Sequence, residues 1–365
     1  MAFTSITSYG YRNLQDQKIP LEGSRIFLVG ENGQGKSNFL EAVYLLSYGS
    51  SFRTNRDREL ITMGKKEMAL HGSFVRPEDD ELAGTVALNI SPAGKTLKLN
   101  DKKIQDRKEL ISNIPAVVFS HEDMDFVNGS PDRRRWFFNQ IMSLFDPLFI
   151  DTLRDYRKIL KMRNASLKNH HTDLLPVYDQ QIAQKGLEIQ QRRRLLIDEY
   201  NQVVAPIFNQ VSGLDQEFFI EYRPSWKNAD NSDQVAAGLE RRRSQDLLYG
   251  TSTSGPHRDR FIFRLGKTDF ARIASTGQLR LISLILRIGQ CRYFSQKTGR
   301  RPVLLLDDVL LELDGERRKR FLAQLPDYEQ VFFTFLPDEK YLDLGDRQTN
   351  IFRVNNGWIK SETIT

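Results

Sequence analysis

The chain has 365 residues, 39% hydrophobic and 27% charged, with 53 Lys and Arg against 47 Asp and Glu. That balance excludes a disordered polyelectrolyte and allows more than one packed domain, while the net charge of +6 only weakly favours an acidic partner such as nucleic acid. A lone Cys291 excludes an intrachain disulfide framework; the polar start MAFTSITSYGYRN and an apolar maximum, LISLILRIG, that is short and contains Arg287 predict a cytoplasmic protein without a membrane span.

In chain order, RIFLVG (25–30) is an apolar run ending in glycine and predicts a buried strand. From Asn38 to Tyr48, Leu40, Val43, Tyr44 and Leu46 fall at helical spacing. ELAGTVALNIS and KTLKLNDKK alternate as strands, with Asn100-Asp101 as a turn, and IPAVVFS (114–120) predicts another buried strand. From Pro131 the texture changes to long helical periodicity. Leu153, Tyr156, Ile159 and Leu160 share one face; after a break near Asn169 to Pro176, so do Ile182, Leu187, Ile189, Leu196, Tyr200 and Val203. This predicts an antiparallel helix hairpin with His170 and His171 at its tip. After Gly250, FIFRLG reads as a strand and Gly277 to Tyr293 as a helix. RPVLLLDD follows as an apolar strand ending in two acids, then Arg317 to Leu325 as a helix and QVFFTFLP as a last buried strand. The expected class is α/β: a discontinuous domain of residues 1–130 and 250–365, interrupted by a helical insertion of residues 131–249.

Gly30-Glu31-Asn32-Gly33-Gln34-Gly35-Lys36-Ser37 lies between a predicted strand and a predicted helix. The glycines allow backbone N–H groups to turn inward around phosphate oxygens, and the helix start adds partial positive charge. Lys36 supplies a point charge for the outer phosphates, and the Ser37 hydroxyl suits Mg2+. The strand Val303 to Leu306 delivers Asp307 and Asp308 at its C-terminal edge, where ligands bind in open α/β sheets. Asp307 is the expected second metal ligand. Asp308 is the candidate catalytic residue that faces the outermost phosphate and polarises the attacking water, and Lys36 is the second candidate catalytic residue through its charge on the outer phosphates.

Ser275-Thr276-Gly277-Gln278-Leu279-Arg280 opens a predicted helix. Alone it is an ordinary N-cap. With the loop, the acid pair and Glu312-Leu313-Asp314, it resembles the signature motif of ABC-type ATPases, and that triplet resembles their D-loop. The resemblance implies a mixed-sheet ATPase head and an ATP-dependent homodimer. Lys36 and Asp307 of one chain and Ser275, Gly277 and Gln278 of the other would hold one nucleotide. Thr334 occupies the place of a switch histidine.

Within that superfamily the chain resembles the RecF family, related to the heads of SMC proteins. Tyr11-Arg12-Asn13-Leu14, the loop with Asn38, Leu40-Glu41-Ala42 and Ser51-Phe52-Arg53 carry the likeness, which extends over nearly the full length. Asn128-Gly129-Ser130-Pro131 with Arg133 to Arg135, Ser254-Gly255-Pro256-His257-Arg258-Asp259 and Asp307-Asp308-Val309 complete it. Arg260 and His121-Glu122-Asp123 depart from the family pattern, and no glutamine fits a Q-loop. The resemblance implies ATP- and Mg2+-dependent DNA binding at single-strand gaps and double/single-strand junctions. It also implies replication and recombinational repair with RecR and RecO, help in loading RecA, weak DNA-stimulated hydrolysis as a release switch, and phosphate contact by Arg12. With no recognition-helix motif, DNA contact is expected through phosphates, from Arg133, Arg134, Arg135, Arg192, Arg193, Arg194 and the triplet Arg241 to Arg243. A transporter-type nucleotide-binding subunit shares the loop, signature and acids and is the alternative. It would lack an insertion of this size and the Ser254-to-Asp259 segment. His257, alone between Pro and Arg, is expected to order its loop.

Overall fold

The computed structural model describes residues 2–76, 82–213, 216–227, 229–311, 313–339, 341, 344 and 349–362. The chain forms two compact units, residues 1–121 with 294–365, and residues 122–293. In chain order, β1 (Ala2–Tyr9), β2 (Gln17–Pro20) and β3 (Arg25–Val29) lead into α1 (Lys36–Tyr48). Then come β4 (Met68–Arg76), β5 (Leu82–Ser91), β6 (Gly94–Leu99), β7 (Lys102–Lys103), α2 (Lys108–Asn113) and β8 (Ala116–Phe119). The second unit holds α3 (Pro131–Phe145), α4 (Pro147–Lys168), α5 (Leu175–Ser212), β9 (Phe218–Arg223), α6 (Ser232–Arg241) and α7 (Arg243–Tyr249). It continues with β10 (Arg260–Leu265), β11 (Thr268–Asp269), α8 (Phe270–Ile273) and the start of α9 (Thr276–Thr298). The first unit is completed by β12 (Val303–Leu306), α10 (Gly315–Ala323), β13 (Gln330–Phe335), β14 (Thr349–Asn355) and β15 (Trp358–Glu362).

The first unit contains two sheets. One is antiparallel, in the order β2-β1-β4-β5-β6-β7. Strand β1 buries Phe3 and Ile6, three residues apart, because its register against β4 shifts between Phe3 and Ser5. Such a bulge breaks the two-residue alternation by which a strand is read. The Asn100-Asp101 turn joins β6 to β7 with φ of 50° and 61°, the doubly positive geometry that suits the twist of a tight hairpin. The other sheet runs β15-β14-β3-β13-β12-β8, parallel except where β15 pairs with β14. Its inner strands β3, β12 and β13 are almost wholly apolar because a parallel sheet is covered on both faces.

In the second unit, Ser130 caps α3 by accepting from the Arg133 amide, and Asp146 caps α4 by accepting from the Leu148 and Phe149 amides. Helices α4 and α5 form the expected hairpin, with His170 and His171 exposed at the turn. Strand β10, expected to resume the α/β domain after Gly250, instead pairs antiparallel with β9, Phe261 opposite Tyr222 and Phe263 opposite Ile220. Phe138 of α3 stacks on Phe261 at a centroid separation of 4.2 Å, which ties this small sheet to the helices. The boundaries between the two units therefore fall at 121/122 and, inside α9, at 293/294, rather than at 130/131 and 249/250. Among the described residues, no helix is long and apolar enough to cross a membrane.

Candidate functional site

The loop after β3 is held open from outside. The Gly33 carbonyl accepts from Asn13 Nδ2 at 2.9 Å and the Gln34 carbonyl from the Gly357 amide at 3.0 Å. The Asn356 amide donates to Gln34 Oε1 at 2.6 Å. These carbonyls are engaged elsewhere and do not face an anion as acceptors, while the Gly30 and Gln34 amides are already bonded to the Phe335 and Glu31 carbonyls at 3.1 and 3.4 Å. Gly35 caps α1 at φ 120°, which an L side chain rarely adopts; its Cβ would also come within 2.8 Å of Leu14. Lys36 is only 4% exposed, and its Nζ donates to the Gly30 carbonyl at 2.5 Å and the Glu31 carbonyl at 3.2 Å. Its ammonium thus sits within the loop that resembles a triphosphate cradle.

Parallel pairing brings the acids to the same edge. Leu306 lies opposite Phe333 of β13 and Phe119 of β8, and the Asp307 amide continues the ladder by donating to the Phe119 carbonyl at 3.0 Å. The Ser37 hydroxyl donates to Asp307 Oδ1 at 2.7 Å. Burial pushes the Asp307 carboxyl up to about 6; the Ser37 bond opposes that rise, Asp308 reinforces it, and Arg53 and Lys36 oppose it. A desolvated carboxylate beside a hydroxyl oxygen, at a strand edge next to an anion cradle, fits a divalent cation bound with a phosphate. Asp308 has φ 53°, a left-handed conformation for which Asp is among the more tolerant side chains. The Thr334 hydroxyl accepts from the Asp308 amide and donates to Asp308 Oδ1, both at 2.7 Å.

Around α1, the structure reveals a cluster whose centre was not singled out from sequence. Glu41 is fully buried. Its Oε2 accepts from Tyr11 at 2.8 Å and from Arg12 Nε at 2.9 Å; its Oε1 accepts from Arg12 Nη2 at 2.9 Å and from the Ser51 hydroxyl. Arg12, expected to reach phosphate, commits two nitrogens to this carboxylate from a backbone φ of 51°. Arg53 donates to Asn38 Oδ1 at 2.6 Å, and Asn38 Nδ2 donates to Asn13 Oδ1 at 2.7 Å, so the cluster is continuous with the brace on Gly33. An acid between Leu40 and Ala42, inside an otherwise buried helix, was the available signal.

Ser275, Gly277 and Gln278 belong to the second unit. Ser275 Oγ accepts from the Gln278 amide at 3.3 Å and Gln278 Oε1 accepts from the Ser275 amide at 2.9 Å, a reciprocal capping box. Ser275, Thr276 and Gly277 are exposed, and a Cβ at Gly277 would meet only open space. Asp314 caps α10 by accepting from the Arg317 amide at 2.8 Å; Glu312 lies outside the described residues.

The arginine triplets separate by burial. Arg193, 2% exposed, donates to Asp259 at 2.7 Å and to the Pro256 carbonyl at 2.7 Å. Arg135 is buried against Asp132 and the Asp259 carbonyl. The expectation that these two meet DNA is corrected: both are enclosed by their own unit. Arg192 is held by Asp146 at 2.7 Å and Glu188 at 2.9 Å, and Arg134 donates to the Phe261 carbonyl at 3.1 Å. Arg194, Arg241 and Arg242 are exposed, and Arg133 is about half exposed with Asp125 at 3.6 Å. Arg243 pairs with Asp179 at 2.8 Å.

The segment Ser254 to Asp259 is internal architecture. Fully buried Asp259 also accepts from Gln190 at 2.7 Å, Tyr222 at 2.5 Å and the Ser225 amide at 2.8 Å. His257 Nδ1 lies 2.7 Å from the Tyr156 hydroxyl and Nε2 lies 3.1 Å from the Ser252 carbonyl. Burial lowers its pKa, so a neutral ring ties two elements together as expected of a loop-ordering residue.

Residues 2–360 match the RecF/RecN/SMC N terminal domain family. The DNA replication and repair protein RecF of Treponema pallidum (strain Nichols) is 40% identical over 352 residues, covering 96% of this chain and 99% of that one. A solved structure described as the recombination mediator protein RecF-ATP in the RecFOR pathway superposes with a TM-score of 0.89 at 28% identity, covering 99% of this chain and 97% of that one. An Smc head bound to the C-winged helix domain of ScpA shares the fold, with a TM-score of 0.57 at 16% identity, over 100% of this chain and 99% of that one. Both solved structures share the α/β fold of this chain, and the chain belongs to the RecF family of the RecF/RecN/SMC group.

Proposed function

We propose that the protein is an ATP- and Mg2+-dependent DNA clamp of replication and recombinational repair, with slow ATP hydrolysis as its release switch. The observation that carries this reading is the Ser37–Asp307 contact of 2.7 Å beside the buried Lys36 ammonium. Bound Mg2+ would neutralise phosphate charge. Ser37 and Asp307 would hold it, Lys36 would leave the Gly30 and Glu31 carbonyls for the outer phosphates, and the loop amides would orient the chain of phosphates. Asp308 would hold and polarise the attacking water. Its side chain is one methylene shorter than glutamate, and a misplacement of about 1 Å can cost roughly 100-fold in rate. That supports a slow switch over a motor.

The exposed Ser275–Gly277 helix start is the surface offered to a nucleotide held by a second copy, by anion capture at a helix N-terminus. Of the arginine triplets, Arg133, Arg194, Arg241 and Arg242 are exposed and available for DNA phosphates. In this reading the protein acts at single-strand gaps and double/single-strand junctions with RecR and RecO to load RecA, a role that its similarity to a recombination mediator of the RecFOR pathway supports. In this reading Asp314 lies at the dimer seam. The test is size-exclusion chromatography of wild type, Lys36→Ala and Ser275→Arg, each with ATP, Mg2+ and gapped DNA. A nucleotide-driven dimer lost in both variants is expected; a dimer that forms equally without ATP, or survives Ser275→Arg, refutes the reading.

A further inference from the structure

Strand β13 reads Gln-Val-Phe-Phe-Thr-Phe, and Thr334 is the one polar residue among its last five, 4% exposed in the middle of a parallel sheet. A buried hydroxyl at such a position is costly unless it is hydrogen-bonded. The register explains where it is spent. Thr334 lies opposite Leu28 of β3, while the preceding Phe333 lies opposite Leu306, so Thr334 reaches the edge where β12 turns out into Asp307 and Asp308. There its oxygen accepts from the Asp308 amide at 2.7 Å and its proton goes to Asp308 Oδ1 at 2.7 Å. The Leu306 carbonyl, at 3.4 Å, is a longer and uncharged competitor for that one proton.

We propose that Thr334 is the positioning residue for Asp308: its single hydroxyl grips both the backbone and the carboxylate of Asp308, and so sets the direction in which that carboxylate faces the reacting water. The inference rests on the assignment of Asp308 under the proposed function and goes beyond it, because it makes Thr334 act through the acid and not through a phosphate. Three features support it. Two bonds from one oxygen to two atoms of the same residue restrict Asp308 about its Cα–Cβ bond, where one bond would leave a swivel. Asp308 sits at φ 53°, outside the strand geometry that would otherwise orient its side chain, so something beyond the backbone must hold it. Thr334 is itself stiff at χ1 through its β-branch, and both neighbouring strands enclose it, so the hydroxyl direction is inherited from the sheet. A short acid has little reach to compensate for a wrong direction, so orientation is where its rate can be lost.

The test compares full-length wild type, Thr334→Val, Thr334→Ser and Asp308→Asn, with ATP, Mg2+ and gapped DNA. ATP affinity and nucleotide-driven dimerisation are measured alongside single-turnover hydrolysis. Valine keeps the shape and removes both bonds; its hydrolysis rate should fall about 10–100-fold, with ATP affinity and dimerisation unchanged. Serine keeps the hydroxyl and should restore most of the rate. Thr334→Val at the wild-type rate beside an inactive Asp308→Asn overturns this inference alone. Serine as slow as valine, or a valine variant that loses ATP affinity in step with rate, also overturns it, by showing a packing role. Asp308→Asn hydrolysing at the wild-type rate overturns the assignment of Asp308 and this inference with it. If the valine variant does not fold, Thr334→Ala set against Thr334→Ser gives the same comparison.

Discussion

Two clusters of charge, one in each unit, differ in how much of their bonding capacity is already used. Around Asp259 both carboxylate oxygens are occupied: Arg193, Gln190, Tyr222 and the Ser225 amide all donate to them, in a site closed to solvent. Around Asp307, among the described residues, one side chain donates to the carboxylate, the Ser37 hydroxyl, and burial leaves the carboxyl raised to about 6. A saturated buried charge belongs to folding. A desolvated, under-bonded one is destabilising while it is charged and is relieved by a proton or by a bound cation. One segment secures the second unit and the other is chemically unfinished.

Breaking the saturated cluster should give the largest effect. Arg193→Ala leaves Asp259 buried without its guanidinium and should destabilise the protein by about 3–5 kcal/mol. Urea denaturation checks this; a loss confined to DNA affinity at full stability would move Arg193 to the unfinished class.

Next comes the opposite sign at Asp307. Its folded pKa, about 6, lies above the ordinary 3.8, so the folded state holds the proton more tightly than the unfolded one. The stability this contributes is fully present below about pH 4 and is lost as pH rises through about 6. Asp307→Asn should therefore stabilise the nucleotide-free protein at pH 8 by up to about 3 kcal/mol, with little gain at pH 4. Denaturation at the two pH values measures it, and equal effects at both would remove the desolvation account.

Lys36→Ala probes the same unfinished site through its ligand. Losing a charged hydrogen-bond donor is worth about 1.5–3 kcal/mol, which is roughly 10–100-fold in ATP affinity by titration. The smallest effect should be on DNA. Arg194→Ala should reduce the slope of log affinity against log salt by about one, whereas Arg192→Ala, already paired with Asp146 and Glu188, should leave it nearly unchanged. Equal slopes in the two variants would show that pairing within the chain does not decide which arginine meets phosphate.

Much of the site was legible because it is local. The loop from Gly30 to Ser37 needs glycines at fixed offsets, and the two acids need only to end an apolar strand. The helix hairpin and the Asn100-Asp101 turn were readable for the same reason. What escaped was non-local. Strand β1 was missed because its bulge disrupts the alternation, and β10 was placed in the wrong unit because an apolar strand does not announce its partner. Arg193 and Arg194 are neighbours in one triplet, and only packing decides that the first is sealed against Asp259 and the second faces solvent.

By itself the sequence determined the class of the protein, the glycine-rich loop, the acid pair and the helix that begins at Thr276, since each depends on residue types within a few positions of one another. Tertiary structure alone decided that Arg12 is committed to Glu41, that Asp259 and Arg193 are used up in folding, and that Thr334 faces Asp308. Those outcomes depend on strand register and burial, which are set by contacts between residues up to hundreds of positions apart, and no spacing along the chain encodes them.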